Sequence, residues 1–139
     1  MTARIPAMNA KPKFKSATPR LPIADAHRTI KFYAEVLGFQ ASPWPEDAPT
    51  FLLLDRDKVR LAFDIVPGRQ PQSGEPAAGF YLEVEDVRAL HQAIKAKVAV
   101  EWGPEVYHYG RREFAVRDPD GYLIIFTEKT KDPPTCPAE

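Results

Sequence analysis

Apolar and polar positions switch between two periods along this chain, and the switches mark its elements. Leu21 and Ile23 alternate with Pro22 and Ala24, which predicts a short strand, and Asp25 follows as a helix N-cap. From His27 to Leu37, Ile30, Tyr33, Val36 and Leu37 fall on one helical stripe, and Gly38 supplies the left-handed residue that ends it. Phe39 to Trp44 predicts a second strand. Phe51 to Leu54 and Val59 to Ile65 flank Asp55-Arg56-Asp57-Lys58, which predicts a hairpin. Residues 67–78, with Pro67, Gly68, Pro71, Gly74 and Pro76, form a linker.

The opening order then returns. Phe80 to Val84 is a strand, Asp86 a cap, and Val87, Leu90, Ile94 and Val98 mark a helix. Strands follow at Val100–Trp102, Glu113–Arg117 and Tyr122–Thr127, the last two joined by the turn Asp118-Pro119-Asp120-Gly121. Asp25 and Asp86 stand 61 positions apart, and each half reads strand, helix, then three strands. This internal duplication predicts an α+β fold of two four-stranded sheets, each with one face under a helix and the other facing a groove.

Composition narrows the function classes. The 139 residues suit one domain, without runs long enough to span a membrane, and a cytoplasmic protein is expected. The single cysteine, Cys136, excludes an intramolecular disulfide. Nineteen basic and nineteen acidic side chains balance, but residues 1–24 carry five bases and no acid, so the remainder sums to −5. That arm reads as a solvated terminus, and no aromatic pattern accompanies it that would suggest nucleic-acid binding. Residues 1–16 and the Pro-rich tail 129–139 are the segments least expected to be ordered, around one domain of residues 17–128 with modules at 17–66 and 79–128.

Three segments carry a resemblance. Leu21-Pro-Ile-Ala-Asp25 with Arg28, Phe32-Tyr33 and Val36-Leu37-Gly38-Phe39 is similar to the first module of the vicinal oxygen chelate (glyoxalase, bleomycin resistance protein and dioxygenase) superfamily. Phe80 to Val87 is similar to its second module. The run from Tyr109 to Gly121, with Arg112-Glu113-Phe114 ahead of Asp-Pro-Asp-Gly, resembles the bleomycin resistance protein branch. The resemblance implies two βαβββ modules forming a cupped eight-stranded mixed sheet, paired into a homodimer.

In enzymatic members the cup holds a divalent metal. The resemblance places its ligands at Thr18, seven residues before the capping Asp25, at Gly79, likewise before Asp86, and at Ile125, four residues after Gly121. The fourth-strand position falls on Ala62, with Asp64 next on that face. Glycine and isoleucine side chains cannot bind a metal and threonine is a poor neutral donor, so no metal or other cofactor and no catalytic residue is expected. The expected function is capture of a small ligand, bleomycin-like or another aromatic and cationic compound, in a dimer groove. The alternative is a metal-dependent isomerase, thiol transferase or ring-cleaving dioxygenase, which would need Asp64, Glu83 and Glu113 to converge.

Strand parity supplies the lining. Tyr81 and Glu83 share the face of Gly79; Leu123 and Thr127 share that of Ile125. A two-residue turn at Arg56-Asp57 would pair Phe51 with Ala62 and Leu53 with Arg60. Trp102, Tyr107, Tyr109 and Arg112 are expected near the rim. The ligand-binding set is thus Phe51, Leu53, Tyr81, Trp102, Tyr107, Tyr109, Arg112 and Ile125. His27 and His91 fall on helices away from it, and His108 lies beside it.

Overall fold

The computed structural model describes residue 4 and residues 11–75 and 78–136; the rest of the basic arm, the last three residues of the tail, and Pro76 with Ala77 lie outside the described residues. Both predicted helix caps form. Asp25 is extended, and its carboxylate accepts from the Arg28 N–H at 3.2 Å, opening α1 (Ala26–Glu35). Asp86 accepts from the Ala89 N–H at 3.0 Å and opens α2 (Val87–Ile94). Each cap satisfies one of the N–H groups that a first helical turn leaves unpaired.

The strands are β1 (Arg20–Ile23), β2 (Gln40–Trp44), β3 (Phe51–Arg56), β4 (Val59–Ile65), β5 (Gly79–Glu83), β6 (Val100–Tyr107), β7 (Arg111–Arg117) and β8 (Leu123–Lys129). They make two four-stranded sheets ordered β1-β4-β3-β2 and β5-β8-β7-β6. In each, the strand before the helix pairs parallel with the last strand of its module, and the other pairs are antiparallel. The two βαβββ modules and the α+β class are those expected.

Three local expectations are corrected. Arg56 pairs with Val59, so the hairpin turns on Asp57 and Lys58 and not on Arg56 and Asp57. Asp57 takes the left-handed conformation (φ 51°), which a short polar side chain tolerates better than arginine. Phe51 therefore faces Asp64 and Leu53 faces Ala62. The slip of two residues changes partners but not faces.

Second, β6 does not stop at Trp102 but runs to Tyr107, through one register shift between Val100 and Trp102 and another across Gly103-Pro104. Those residues read as a strand end in sequence but act as a bulge. Third, the segment after β8 is tied down as far as Cys136. The Thr135 N–H donates to the Val106 carbonyl at 2.9 Å, and the Val106 N–H donates to Thr135 Oγ1 at 2.8 Å. Asp132 pairs with Arg112. The tail thus covers part of the edge of β6, which would otherwise expose unpaired backbone groups.

One core serves both modules, with Tyr33, Leu52, Leu54 and Phe63 from the first against Phe114, Tyr122, Ile124 and Phe126 from the second. The Asp118–Gly121 turn clamps them. Asp120 accepts from the Ala24 N–H at 3.0 Å and from Thr29 Oγ1 at 3.3 Å, and Asp118 accepts from the Tyr33 hydroxyl at 2.7 Å. Burial pushes Asp118 up to about 6, against the lowering effect of its hydrogen bonds from Tyr33 and from the Tyr122 and Asp120 N–H groups.

These contacts, like the rings of Phe63, Phe80 and Tyr122, lie on the side of the sheets that carries the core. No hydrogen bond, ion pair or ring contact among the described residues joins the opposite, open faces of the two sheets within one chain.

Candidate ligand-binding site

The register of the second sheet sets out its open face in rows. Tyr81 on β5 pairs with Ile125 on β8, Ile125 with Ala115 on β7, and Ala115 with Trp102 on β6. The next row runs Glu83, Thr127, Glu113, Glu105, and the one beyond it Lys129, Arg111, Tyr107. Cross-strand partners project to the same side, so each row is a set of neighbouring side chains. The small Ala115 and the aliphatic Ile125 form a floor between Tyr81 and Trp102.

Aromatic rings wall this face. Tyr107 and Tyr109 stack, centroids 5.5 Å apart and planes 5° from parallel, and Trp102 meets Tyr107 edge-on at 6.0 Å. His108 stands edge-on to Tyr109 at 5.4 Å. Tyr81 on β5 is 69% exposed and Tyr109, in the turn between β6 and β7, 54%.

Beneath Tyr109 sits a buried carboxylate. Glu113 is 2% exposed; it accepts from the Tyr109 hydroxyl at 2.6 Å and from the Thr127 hydroxyl at 2.7 Å. Removal from water and this carboxylate push the Tyr109 hydroxyl far above its ordinary range, so it stays a protonated donor. Tyr107 is raised too, chiefly by desolvation. Arg111 pairs with Glu83 at 3.2 Å and reaches Thr127 Oγ1 at 3.5 Å. Tyr81, Glu83, Tyr109, Arg111, Glu113 and Thr127 line an open depression of about 420 Å³.

The structure thus brings together Tyr81, Trp102, Tyr107, Tyr109 and Ile125. It does not bring Arg112 to them: Arg112 projects from the opposite face of β7, buried, with Glu128 at 3.6 Å and Asp132 beside it. Its neighbour Arg111 takes the open face. The signal was the parity of β7 set by its hairpin with β8, in which Ala115 opposite Ile125 puts the odd-numbered residues outward. Phe51 and Leu53 lie on the open face of the first sheet with Ala62 and Asp64, and the Arg20 guanidinium stands 5.4 Å from the Phe51 ring centroid. Of the helical histidines, His91 packs edge-on to Phe114.

The positions that the resemblance assigns to metal ligands do not fit a metal. A Cβ on Gly79 would meet the Leu123 carbonyl oxygen at 1.8 Å, so no ligating side chain is accommodated there. Ile125 offers no donor atom, and Thr18 is exposed and precedes β1. Asp64, on the other sheet, is held by Arg20 at 2.6 Å, Glu83 by Arg111, and Glu113 by two hydroxyls. Among the described residues no three His, Cys, Asp or Glu side chains gather as a metal-binding group.

A larger cleft of about 780 Å³ lies between the modules, among Phe39, Val59, Leu82, Leu90 and Phe126. Glu83 borders both this cleft and the depression under Tyr109. No helix among the described residues is long and apolar enough to cross a membrane.

The profile of the Glyoxalase/Bleomycin resistance protein/Dioxygenase superfamily matches residues 15–126. The bleomycin resistance protein of Geobacillus stearothermophilus is 28% identical over 133 residues, covering 81% of this chain and 96% of that protein. The bleomycin resistance determinant encoded on the transposon Tn5 superposes with a TM-score of 0.68 at 25% identity, over 86% of this chain and 100% of that one. A bleomycin-binding protein complexed with bleomycin gives 0.67 at 26%, over 84% and 99%.

Proposed function

The chain belongs to the glyoxalase, bleomycin resistance protein and dioxygenase superfamily, and from that premise we propose that it captures a small molecule without turning it over, in the manner of the bleomycin resistance proteins. The observation that carries the reading is the aromatic open face of the second sheet, with Tyr81 and Tyr109 largely exposed. Ring faces exposed to this degree cost solvation, whereas a planar ligand stacked on them recovers it. The donor-poor ligand positions, with Gly79 closed by the Leu123 carbonyl, support trapping over metal chemistry. The bleomycin resistance protein relative and the bleomycin-binding structure, matched over most of both chains, support a bleomycin-like aromatic and cationic ligand.

A groove needs a second wall, and one chain holds its two open faces apart. In the proposed homodimer the first sheet of one protomer, with Phe51 and Leu53, meets the second sheet of its partner, with Tyr81, Trp102, Tyr107, Tyr109 and Ile125. Trp44, 70% exposed at the end of β2, fits an edge of that groove. Titration with bleomycin is expected to change tryptophan emission saturably, with one ligand per chain, and cells expressing the protein are expected to survive the drug. Unchanged emission together with unprotected cells would reject the antibiotic reading.

A further inference from the structure

We propose that the depression under Tyr109 is a subsite for one protonated nitrogen group, an ammonium, amidinium or guanidinium carried on a planar body, and that Glu113 selects for it. The proposal rests on reading the second sheet's open face as the binding surface and adds the chemistry it recognises.

Glu113 is the starting point. A carboxylate taken out of water needs compensation by hydrogen bonds and by charge. Tyr109 and Thr127 supply two hydrogen bonds, both from neutral hydroxyls. Among the described residues no Lys, Arg or His pairs with it: the guanidinium of Arg111 goes to Glu83 and Thr127, and that of Arg112 lies on the other face of β7. A carboxylate has about four lone-pair sites, so about two stay open after these bonds.

The cavity supplies access and a bias. Glu113 lines the 420 Å³ depression with Glu83 and Arg111, two carboxylates against one guanidinium. Tyr81 and Tyr109 border it, and a cation close to such ring faces is attracted further. One row away, Ala115 and Ile125 form the floor between Tyr81 and Trp102 on which a flat body can lie. A neutral ligand of the same shape would gain the stacking but bring Glu113 no charged partner, and discrimination follows from that difference.

Two dyes of similar shape test this on the full chain: proflavine, a planar cation at pH 7.5, and acridine, neutral there, each titrated by fluorescence alongside bleomycin. The wild-type protein is expected to bind proflavine about tenfold more tightly than acridine, with only the proflavine affinity falling as salt rises. Glu113→Gln, which keeps an oxygen acceptor for one hydroxyl, is expected to bring the two affinities together and leave acridine's unchanged.

Equal binding of the dyes by the wild-type protein, or a preference that survives in Glu113→Gln, overturns the subsite. The comparison within the wild-type protein stands even if that variant fails to fold. Bleomycin binding without a dye preference would sink the subsite alone. A dye preference without bleomycin binding would sink the antibiotic reading alone, and no binding of any of the three sinks both.

Discussion

At Asp118, two opposing effects meet on one carboxyl. Three hydrogen bonds favour its charged form, yet burial prevails and holds it near 6, against an ordinary value of 3.8. The folded state therefore keeps a proton that the unfolded chain has released between about pH 4 and 6. Unfolding free energy contributed by this group falls as pH rises through that window, by about 3 kcal/mol at most, and stays low at neutral pH. Asp118→Asn has no such titration. Denaturant melts at pH 7 and pH 5 are expected to show wild type gaining on the variant at the lower pH. A stability gap identical at both values would refute the assignment. The sequence shows Asp118 and Asp120 as turn residues, and they are. Their second role, holding Thr29 and Tyr33 of α1 across the module boundary, involves partners about ninety positions away that no local pattern reports.

At the scale of elements, the caps at Asp25 and Asp86 and the alternation in β3, β4, β5 and β8 were legible because each depends on neighbours within a few residues. The length of β6 was not. Gly103 and Pro104 argue locally against a strand, while pairing with β7 on both sides of them restores one. Arg112 was misplaced for a different reason: it was put on the rim loop, whereas β7 begins at Arg111 and its pairing with β8 turns Arg112 to the face opposite Ala115. Gly79 is the sharpest element-scale case. Its missing side chain lets β5 lie against the β8 backbone, so Gly79→Ala is expected to cost about 2–3 kcal/mol, read as a lower urea midpoint. Gly79→His, meant to rebuild a metal ligand, is expected to lose more stability and gain no zinc affinity. A variant as stable as wild type would show that the two strands can separate cheaply.

For the whole molecule, one shared core on the helix side fixes the modules with their open faces apart. If the groove forms between protomers, Phe51 and Tyr81 of different chains serve the same ligand. Phe51→Ala and Tyr81→Ala homodimers are each expected to lose about tenfold in bleomycin affinity, as removal of a stacking ring implies. Mixed dimers of the two variants carry one groove with both changes and one with neither, so about half of the sites in that heterodimer are expected to regain full affinity. Failure of mixing to restore any tight site would place Phe51 and Tyr81 in separate functions. The sequence by itself determined the duplicated strand–helix–strand plan and the faces of most strands, since these follow from short-range periodicity and residue chemistry. Only the tertiary structure decided that Glu113 sits buried beneath Tyr109, that Arg111 and not Arg112 joins it, and that the tail closes β6. Each of these depends on which strands lie side by side and in what register, and pairing between distant segments is set by the packing of the whole core.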